Sequence, residues 1–503
     1  MVLGAFATAC GSAASTSPTL ARATPVVPPR TEYSIVLFLA DDLDRDLFAS
    51  MLESGTLPNI QRYIVDRGVS FTRAYAASPL CCPSRVSILT GQFPHNTGVY
   101  DNDNWEHGGF EGFFRSRRES SAMPTWFAAS DVPTALIGKY LNGYPQYGAA
   151  SGPAHPADVP PGWRFWFVPL QNTSFFDYSV NFNGNNLFYP RSARIAEEPE
   201  NYRTDIEARR GEEFLSQVGP KKFFLFHSAI APHIPAEAAP RHQEVSRNVA
   251  APRPTSYNEQ DVSDKPGWIQ RRGLIDPQSR RNLDGLWRLR WGSMRSVDDL
   301  VGRIVARTEA IGQVNRTCYV FTSDNGWETG QHRLESGKGF MYEESVGVPL
   351  VMSCPGMRKE EIPHLASLVD LAPTFMELSG VRSDSTLDGK SLVPLLYPSR
   401  PAADQWRKDV LIEFLSRDRS ESPAFYQLRT SRYSIAAYSR DVGTPFDFFE
   451  LYDMENDPQQ LRSLDYHSRL SPTNPEYRPM PPEFGTYVQR LEALRRCAGA
   501  SCY

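Results

Sequence analysis

Pro79-Leu80-Cys81-Cys82-Pro83-Ser84-Arg85-Val86-Ser87-Ile88-Leu89-Thr90-Gly91 is the stretch on which the reading of this chain turns. Pro83 and Ser84 are helix-opening residues, and Val86, Ile88 and Leu89 begin an apolar face, so the run predicts a short helix with Cys81 just before its N-terminus. The free N–H groups of such a terminus attract anions. Arg85, one residue into the turn, can fold its planar guanidinium back and present a bidentate donor to a tetrahedral oxyanion. An ordinary strand-to-helix turn with two buried thiols is the plainer alternative.

Working outward, Ser34-Ile35-Val36-Leu37-Phe38-Leu39-Ala40 is a continuous apolar run of strand length, the pattern of a central parallel strand. It ends in Asp41-Asp42, where open α/β sheets bind their ligands. Two adjacent acids repel unless a cation holds them. Asp44 reads as the cap of the following helix. Far downstream, Cys318-Tyr319-Val320-Phe321-Thr322 predicts another such strand and delivers Ser323-Asp324-Asn325-Gly326. Asp41, Asp42, Asp324 and Asn325 offer three carboxylates and one amide oxygen, hard ligands that favour Ca²⁺ or Mg²⁺ over zinc. Asp-Asn-Gly is a turn as well.

Further buried strands are expected at Thr134-Ala135-Leu136-Ile137, which runs into Gly138-Lys139, and at Lys222 to His227, with His227 read as core. The second leads to Pro232-His233-Ile234-Pro235, a stiff turn suited to a side chain that moves a proton in a fixed direction. Helical periodicity covers Leu57 to Arg67, Tyr202 to Val218 and Arg290 to Ile311, with a polar, Pro-rich surface insertion between Arg241 and Arg281. The aromatic runs Gly162 to Phe167 and Phe175 to Asn181 suggest a small antiparallel excursion on the main sheet, and Tyr100 to Ser121 a loop walling a pocket. Past about residue 400, Val410 to Phe414, Tyr426 to Arg429 and Tyr433 to Tyr438 read as successive antiparallel strands.

The Cys81-x-Pro83-Ser84-Arg85 string, with its short helix ending in Thr90-Gly91, resembles the signature of the type I sulfatases, in which the first cysteine is oxidised to formylglycine by a maturation enzyme. The resemblance runs from about Ser34 to Leu464. Gly138-Lys139-Tyr140-Leu141-Asn142 and Gln92-Phe93-Pro94-His95-Asn96-Thr97-Gly98 bring it closest in style to N-acetylglucosamine-6-sulfatases and related bacterial arylsulfatases.

It implies an α/β fold of the alkaline-phosphatase kind, a mostly parallel sheet flanked by helices, with a smaller C-terminal antiparallel sheet. It implies a sulfuric ester hydrolase in which Cys81 becomes formylglycine and joins Asp41, Asp42, Asp324 and Asn325 around one metal ion. Arg85 would act on the aldehyde hydrate, Lys139 and Lys338 (of Gly337-Lys338-Gly339) on the sulfate, and His233 as acid or base; His95 and His332 are further substrate candidates. Two departures stand out. Leu141 replaces a histidine that many members carry, which removes one acid or sulfate donor, and Gly347 replaces a frequent arginine. A phosphonate monoester or phosphodiester hydrolase of the same superfamily, or a sulfoglycan-binding surface protein without the aldehyde, would share much of this sequence.

Size and composition fit. The 503 residues suit a large α/β domain over 31–400 followed by a smaller unit over 401–503, and 41% hydrophobic with 22% charged residues is globular composition. A net charge of −5 gives no reason to expect a nucleic-acid partner. Cys497 and Cys502 read as a small disulfide loop in an exposed tail, hence an oxidising compartment. Residues 1–30 look like an export segment, with Ala7-Thr8-Ala9-Cys10-Gly11-Ser12 resembling the end of a bacterial lipoprotein signal lipidated on Cys10. The expected location is extracytoplasmic, secreted or lipid-anchored at a bacterial surface, and no run is long and apolar enough to span a bilayer.

Overall fold

A computed structural model describes residues 1, 32–103, 105–145, 159–170, 173–191, 201–416, 422–440 and 443–503. The segment with Cys10 lies outside the described residues, so its expected lipidation is not addressed by the fold.

Strand β1 (Ser34–Ala40) is buried along its whole length, as its uninterrupted apolar run requires. Its residues alternate between two cores. Ile35, Leu37 and Leu39 join Val86, Ile88 and Leu89 on one face, while Val36, Phe38 and Ala40 join Val297, Leu300, Val301 and Ile304 on the other.

Around β1 the main sheet has ten strands in the order β10-β2-β9-β8-β1-β7-β3-β4-β5-β6. The named ranges are β2 (Val69–Tyr75), β3 (Thr134–Gly138), β4 (Phe165–Pro169), β5 (Tyr178–Phe182), β6 (Asn185–Tyr189), β7 (Phe224–Ser228), β8 (Thr317–Ser323), β9 (Leu350–Ser353) and β10 (Glu360–Ser367). The five central strands β8-β1-β7-β3-β4 are parallel. The aromatic runs supply β4, and β5 with β6 as an antiparallel extension of the same sheet. A second sheet of four antiparallel strands, β11 (Asp409–Phe414), β12 (Phe425–Thr430), β13 (Tyr433–Ser439) and β14 (Phe446–Asp453), follows. One face packs Leu411, Leu428, Ile435 and Leu451 against Leu491 and Leu494 of the C-terminal helix. The other packs Phe414, Phe425 and Tyr438 against Phe340, Met341 and Tyr342.

Three expectations need correction. The helix expected from Arg290 begins at Pro277 and runs 34 residues to Ala310, so the surface insertion is shorter than its composition suggested. The C-terminal tail is not exposed: Cys497 and Cys502 are disulfide-bonded as expected, but both are buried. A second disulfide, Cys318–Cys354, for which the sequence carried no pairing signal, joins the start of β8 to the end of the neighbouring β9. The helix of the opening stretch spans Cys81–Thr90, so Cys81 is its first residue rather than the one before it.

At Gly138, the last residue of β3, the backbone has a φ of +105°, and a Cβ would stand 1.9 Å from the Ser228 carbonyl oxygen of β7. The next residue, Lys139, donates its backbone N–H to that same oxygen at 2.8 Å. Gly138→Ala is therefore expected to cost about 2 kcal/mol or more, read as a lowered thermal unfolding midpoint, and to lower activity through displaced Lys139.

Candidate active site

The carboxyl ends of β1 and β8 are laced together. The Asp324 N–H donates to the Ala40 carbonyl at 3.2 Å, the Asp42 N–H to Asp324 Oδ1 at 3.1 Å and the Leu43 N–H to Ser323 Oγ at 2.8 Å. A strand sends neighbouring side chains to opposite faces. At Asp42 a left-handed φ of 68° breaks that alternation, and Asp41 and Asp42 converge on one point.

The helix Cys81–Thr90 delivers its first turn to the same point. Cys81 Sγ lies 3.4 Å from Asp41 Oδ1 and 4.0 Å from Asp42 Oδ1. Lys139, released by the end of β3, reaches Asp41 Oδ2 at 2.5 Å and Cys81 Sγ at 3.4 Å. Lys338 donates to Asp42 Oδ1 and to Cys81 Sγ, the latter at 2.6 Å. Arg85 donates Nε to Asp324 Oδ2 (2.7 Å), Nη2 to Asp41 Oδ2 (3.1 Å), and Nη1 to Ser228 Oγ (2.6 Å) and the Lys139 carbonyl (3.0 Å). Four of its five N–H donors are thus occupied. The free bidentate fork that the sequence suggested is instead a brace across Asp41 and Asp324, because the carboxylates lie nearer than any open volume.

His233 donates Nδ1–H to the Ile234 carbonyl at 2.6 Å, since a carbonyl only accepts. That leaves Nε2 as its working nitrogen, 3.7 Å from Asp42 Oδ2. Cys81 and the three carboxylates are fully buried. Lys139 and Lys338 are each 10% exposed and His233 17%, so the opening lies on their side.

Burial raises the Asp41 carboxyl, but Lys139 and Arg85 overcome it and hold the group well below the carboxylate range. Burial and Asp41 together push the Cys81 thiol far up, so it stays protonated. Burial lowers the Lys338 ammonium, and Asp42 and Cys81 outweigh it and hold it well above the usual value. His233 is lowered by burial, against the pull of Asp41 and Asp42.

The donor set fits a hard divalent cation. One ligand atom each from Asp41, Asp42, Cys81 and Asp324 lies within 4.8 Å of every other, and oxygens on opposite sides of a Ca²⁺ ion stand about 5 Å apart. Asn325 Nδ2 donates to Asp42 Oδ1 at 2.6 Å and to the Gly326 carbonyl. That leaves Asn325 Oδ1 and Asp42 Oδ2 buried without a hydrogen-bond partner, the acceptors a cation would satisfy.

The structure does not bring His95 or His332 to this cluster. His95 Nδ1 bonds Glu413 at 2.9 Å and Nε2 the Cys497 carbonyl at 2.9 Å, tying the C-terminal tail to the main domain. His332 is fully buried, bonded through Nδ1 to Glu259 at 2.7 Å and stacked on Tyr342. Residue-level reading missed Ser84, whose hydroxyl donates to the Asp324 carbonyl at 2.6 Å. It also missed Arg290, which bonds Asp44 Oδ2 at 3.0 Å and the Asp42 carbonyl from the long helix. The only signal for either was position: Ser84 inside the motif, Arg290 on the buried face of a helix.

A mostly parallel sheet of this order, with acids at the carboxyl ends of β1 and β8, is the alkaline-phosphatase-like fold. The sulfatase family model matches residues 34–381, and a model for the C-terminal region of N-sulphoglucosamine sulphohydrolase matches 330–475. The chain is similar to the human N-acetylglucosamine-6-sulfatase, 32% identical over 93% of this chain and 85% of that protein. Among solved structures it resembles one in complex with its substrate D-glucosamine-2-N,6-O-disulfate (22% identical, TM-score 0.67, covering 86% of this chain and 93% of that one). It also resembles the phosphonate monoester hydrolase of Agrobacterium radiobacter (18% identical, TM-score 0.67, covering 92% and 96%). The chain belongs to the sulfatase family and is a sulfuric ester hydrolase.

The site of His95 yields a pH prediction. Burial lowers its pKa but Glu413 raises it further, to about 9 from 6.5, so the pair's stabilisation is complete below pH 6.5 and is lost as pH rises through 9. The thermal midpoint should fall over that window, and His95→Gln should flatten the fall while leaving KM unchanged.

Proposed function

We propose that the protein is an exported sulfatase that removes sulfate from 6-O-sulfated amino sugars, with Cys81 converted to formylglycine and Ca²⁺ or Mg²⁺ bound by Asp41, Asp42, Asp324 and Asn325. The observation that carries this reading is the convergence of those residues with Lys139, Lys338 and His233 on one buried point. The substrate class rests on the relatives just named. Two disulfides among the described residues support export to an oxidising compartment.

Once converted, Cys81 would present an aldehyde hydrate at this point, whose two hydroxyls would supply the attack on sulfur and the later release of sulfate. Asp41, Asp42, Asp324 and Asn325 would hold the cation, which would supply positive charge to offset the sulfate oxygens. Arg85 holds Asp41 and Asp324 in place through its Nη2 and Nε donors. Lys139 and Lys338, the two ammonium groups that reach the opening, bind the sulfate oxygens and the charge that grows on them. As the ester S–O bond breaks, its electron pair goes to the sugar oxygen, and His233 in its imidazolium form, protonated on both nitrogens, delivers the Nε2 proton there, giving a free hydroxyl and a neutral ring that keeps Nδ1–H. The Nδ1–H bond to Ile234 keeps the ring aimed.

The similar phosphonate hydrolase fold favours one second reading, hydrolysis of phosphonate monoesters. Comparison of kcat/KM on an aryl sulfate and an aryl phosphonate ester separates the two, with the sulfate expected to win.

Mass spectrometry of the Cys81 peptide from protein made in its native host should find the aldehyde in place of the thiol. An unmodified thiol there would remove the catalytic reading. In the matured enzyme His233→Ala should lower kcat by about 10²–10⁴ and Lys338→Ala by about 10²–10³. A chelator should abolish turnover and lower the unfolding midpoint, and Ca²⁺ or Mg²⁺ should restore both.

A further inference from the structure

Away from the active site, a cavity of about 1340 Å³ opens where the β10 edge of the main sheet meets the C-terminal sheet and the segment leading into the last helix. Strand β10 is the fourth strand from β1, about 19 Å along the sheet at ~4.8 Å per strand. The volume exceeds the roughly 300–1,000 Å³ of a small-molecule site. Pro479, Pro481 and Pro482 form one rim and fix its backbone.

Its lining carries six cations against four acids, on a chain whose net charge is −5. Arg432 and Arg490 are committed to Asp453 and Asp409. Arg73, Lys408 and Arg478 line the same space and pair with no acid among the described residues. Among the described residues Arg478 donates to the carbonyls of Pro475 and Tyr477. Beside these cations stand the rings of Trp406, Tyr433 and Tyr487. The rings of Tyr433 and Tyr487 are 5.8 Å apart, and the Arg432 guanidinium lies 5.0 Å from the Tyr433 ring centre.

Aromatic rings offer apolar faces for sugar rings, and guanidinium groups bind sulfate or carboxylate through paired hydrogen bonds. A concave surface combining both, too large for one sugar, suits several residues of an anionic glycan. We propose that this cleft is a second, non-catalytic binding site for an extended sulfated glycan, holding the polymer while a terminal sugar is presented elsewhere. The inference rests on the sulfated-sugar reading of the active site.

The binding test uses full-length Cys81→Ala protein, which lacks the nucleophile, with heparin as the probe, and neutral dextran and duplex DNA as comparisons. Heparin should bind in a salt-dependent way and dextran should not bind. Combined Arg73→Ser, Lys408→Ser and Arg478→Ser should weaken heparin binding about tenfold or more. Tyr487→Ala should weaken it with the charges intact. In the matured enzyme the triple variant should raise KM for the polymer and leave kcat and KM on a sulfated monosaccharide unchanged, which also reports that it folds. Heparin affinity unchanged in the triple variant overturns the proposal, as does DNA binding of equal strength lost in parallel. Failure of the catalytic reading appears separately, as absent turnover in the unmutated enzyme.

Discussion

Three carboxylates buried side by side at the ends of two parallel strands are the constraint on which the molecule is arranged. Asp41, Asp42 and Asp324 have no exposure to water, and an unpaired charge in such a place costs several kcal/mol. Three cations answer them, each from a different element: Arg85 from the helix Cys81–Thr90, Lys139 from the end of β3, and Lys338 from the loop after β8. The contacts join residues as far apart as Asp42 and Lys338, 296 positions along the chain. Removing one cation would leave a buried charge uncompensated, so the electrostatics that serve chemistry also close the fold.

The C-terminal sheet belongs to this arrangement. Lys338 reaches the site from a loop whose next residues, Phe340, Met341 and Tyr342, pack against Phe414, Phe425 and Tyr438 of the second sheet. Gly339 lies so close beneath Phe414 that a Cβ there would meet its ring at 2.9 Å. Just beyond, Glu343 is clamped between Arg45 (2.8 Å), which follows the β1 acids, and Arg429 (2.7 Å) of β12. The second sheet therefore sets where Lys338 stands, and His95 with Glu413 ties the same sheet to the segment after the cysteine helix.

What the sequence disclosed follows the range of the physics involved. β1, β3, β7 and β8 are apolar runs whose environment is decided locally, so they and the residues they deliver were legible, and with them the clustering of Asp41, Asp42, Asp324 and Asn325. β10 was not, because Pro363 interrupts it; the proline is tolerated because β10 is an edge strand with a register shift between Ile362 and Leu365. The first turns of the helix Pro277–Ala310 are rich in Arg, Asn and Asp, and the one clear start signal was Asp276 capping Gln278 and Ser279 ahead of Pro277. The roles of Arg85 and His95 depend on partners 239 and 318 residues away. A motif can bring such residues to notice, but only tertiary contacts decide whether a side chain braces or binds.

The charge count also limits what the cluster can select. With three acids against three cations the protein's own groups nearly cancel, so a site that must attract an anionic ester needs additional positive charge. The two buried acceptors left unpaired, Asn325 Oδ1 and Asp42 Oδ2, mark where a divalent ion would be held. The surplus such an ion would supply would draw in any singly charged ester, and sulfate and phosphonate monoesters carry the same charge. Net charge cannot discriminate between them, or between one sugar and another, and contacts to the leaving group are needed for that. Loops carry binding residues more often than the strands that position them, which lets one fold host several activities.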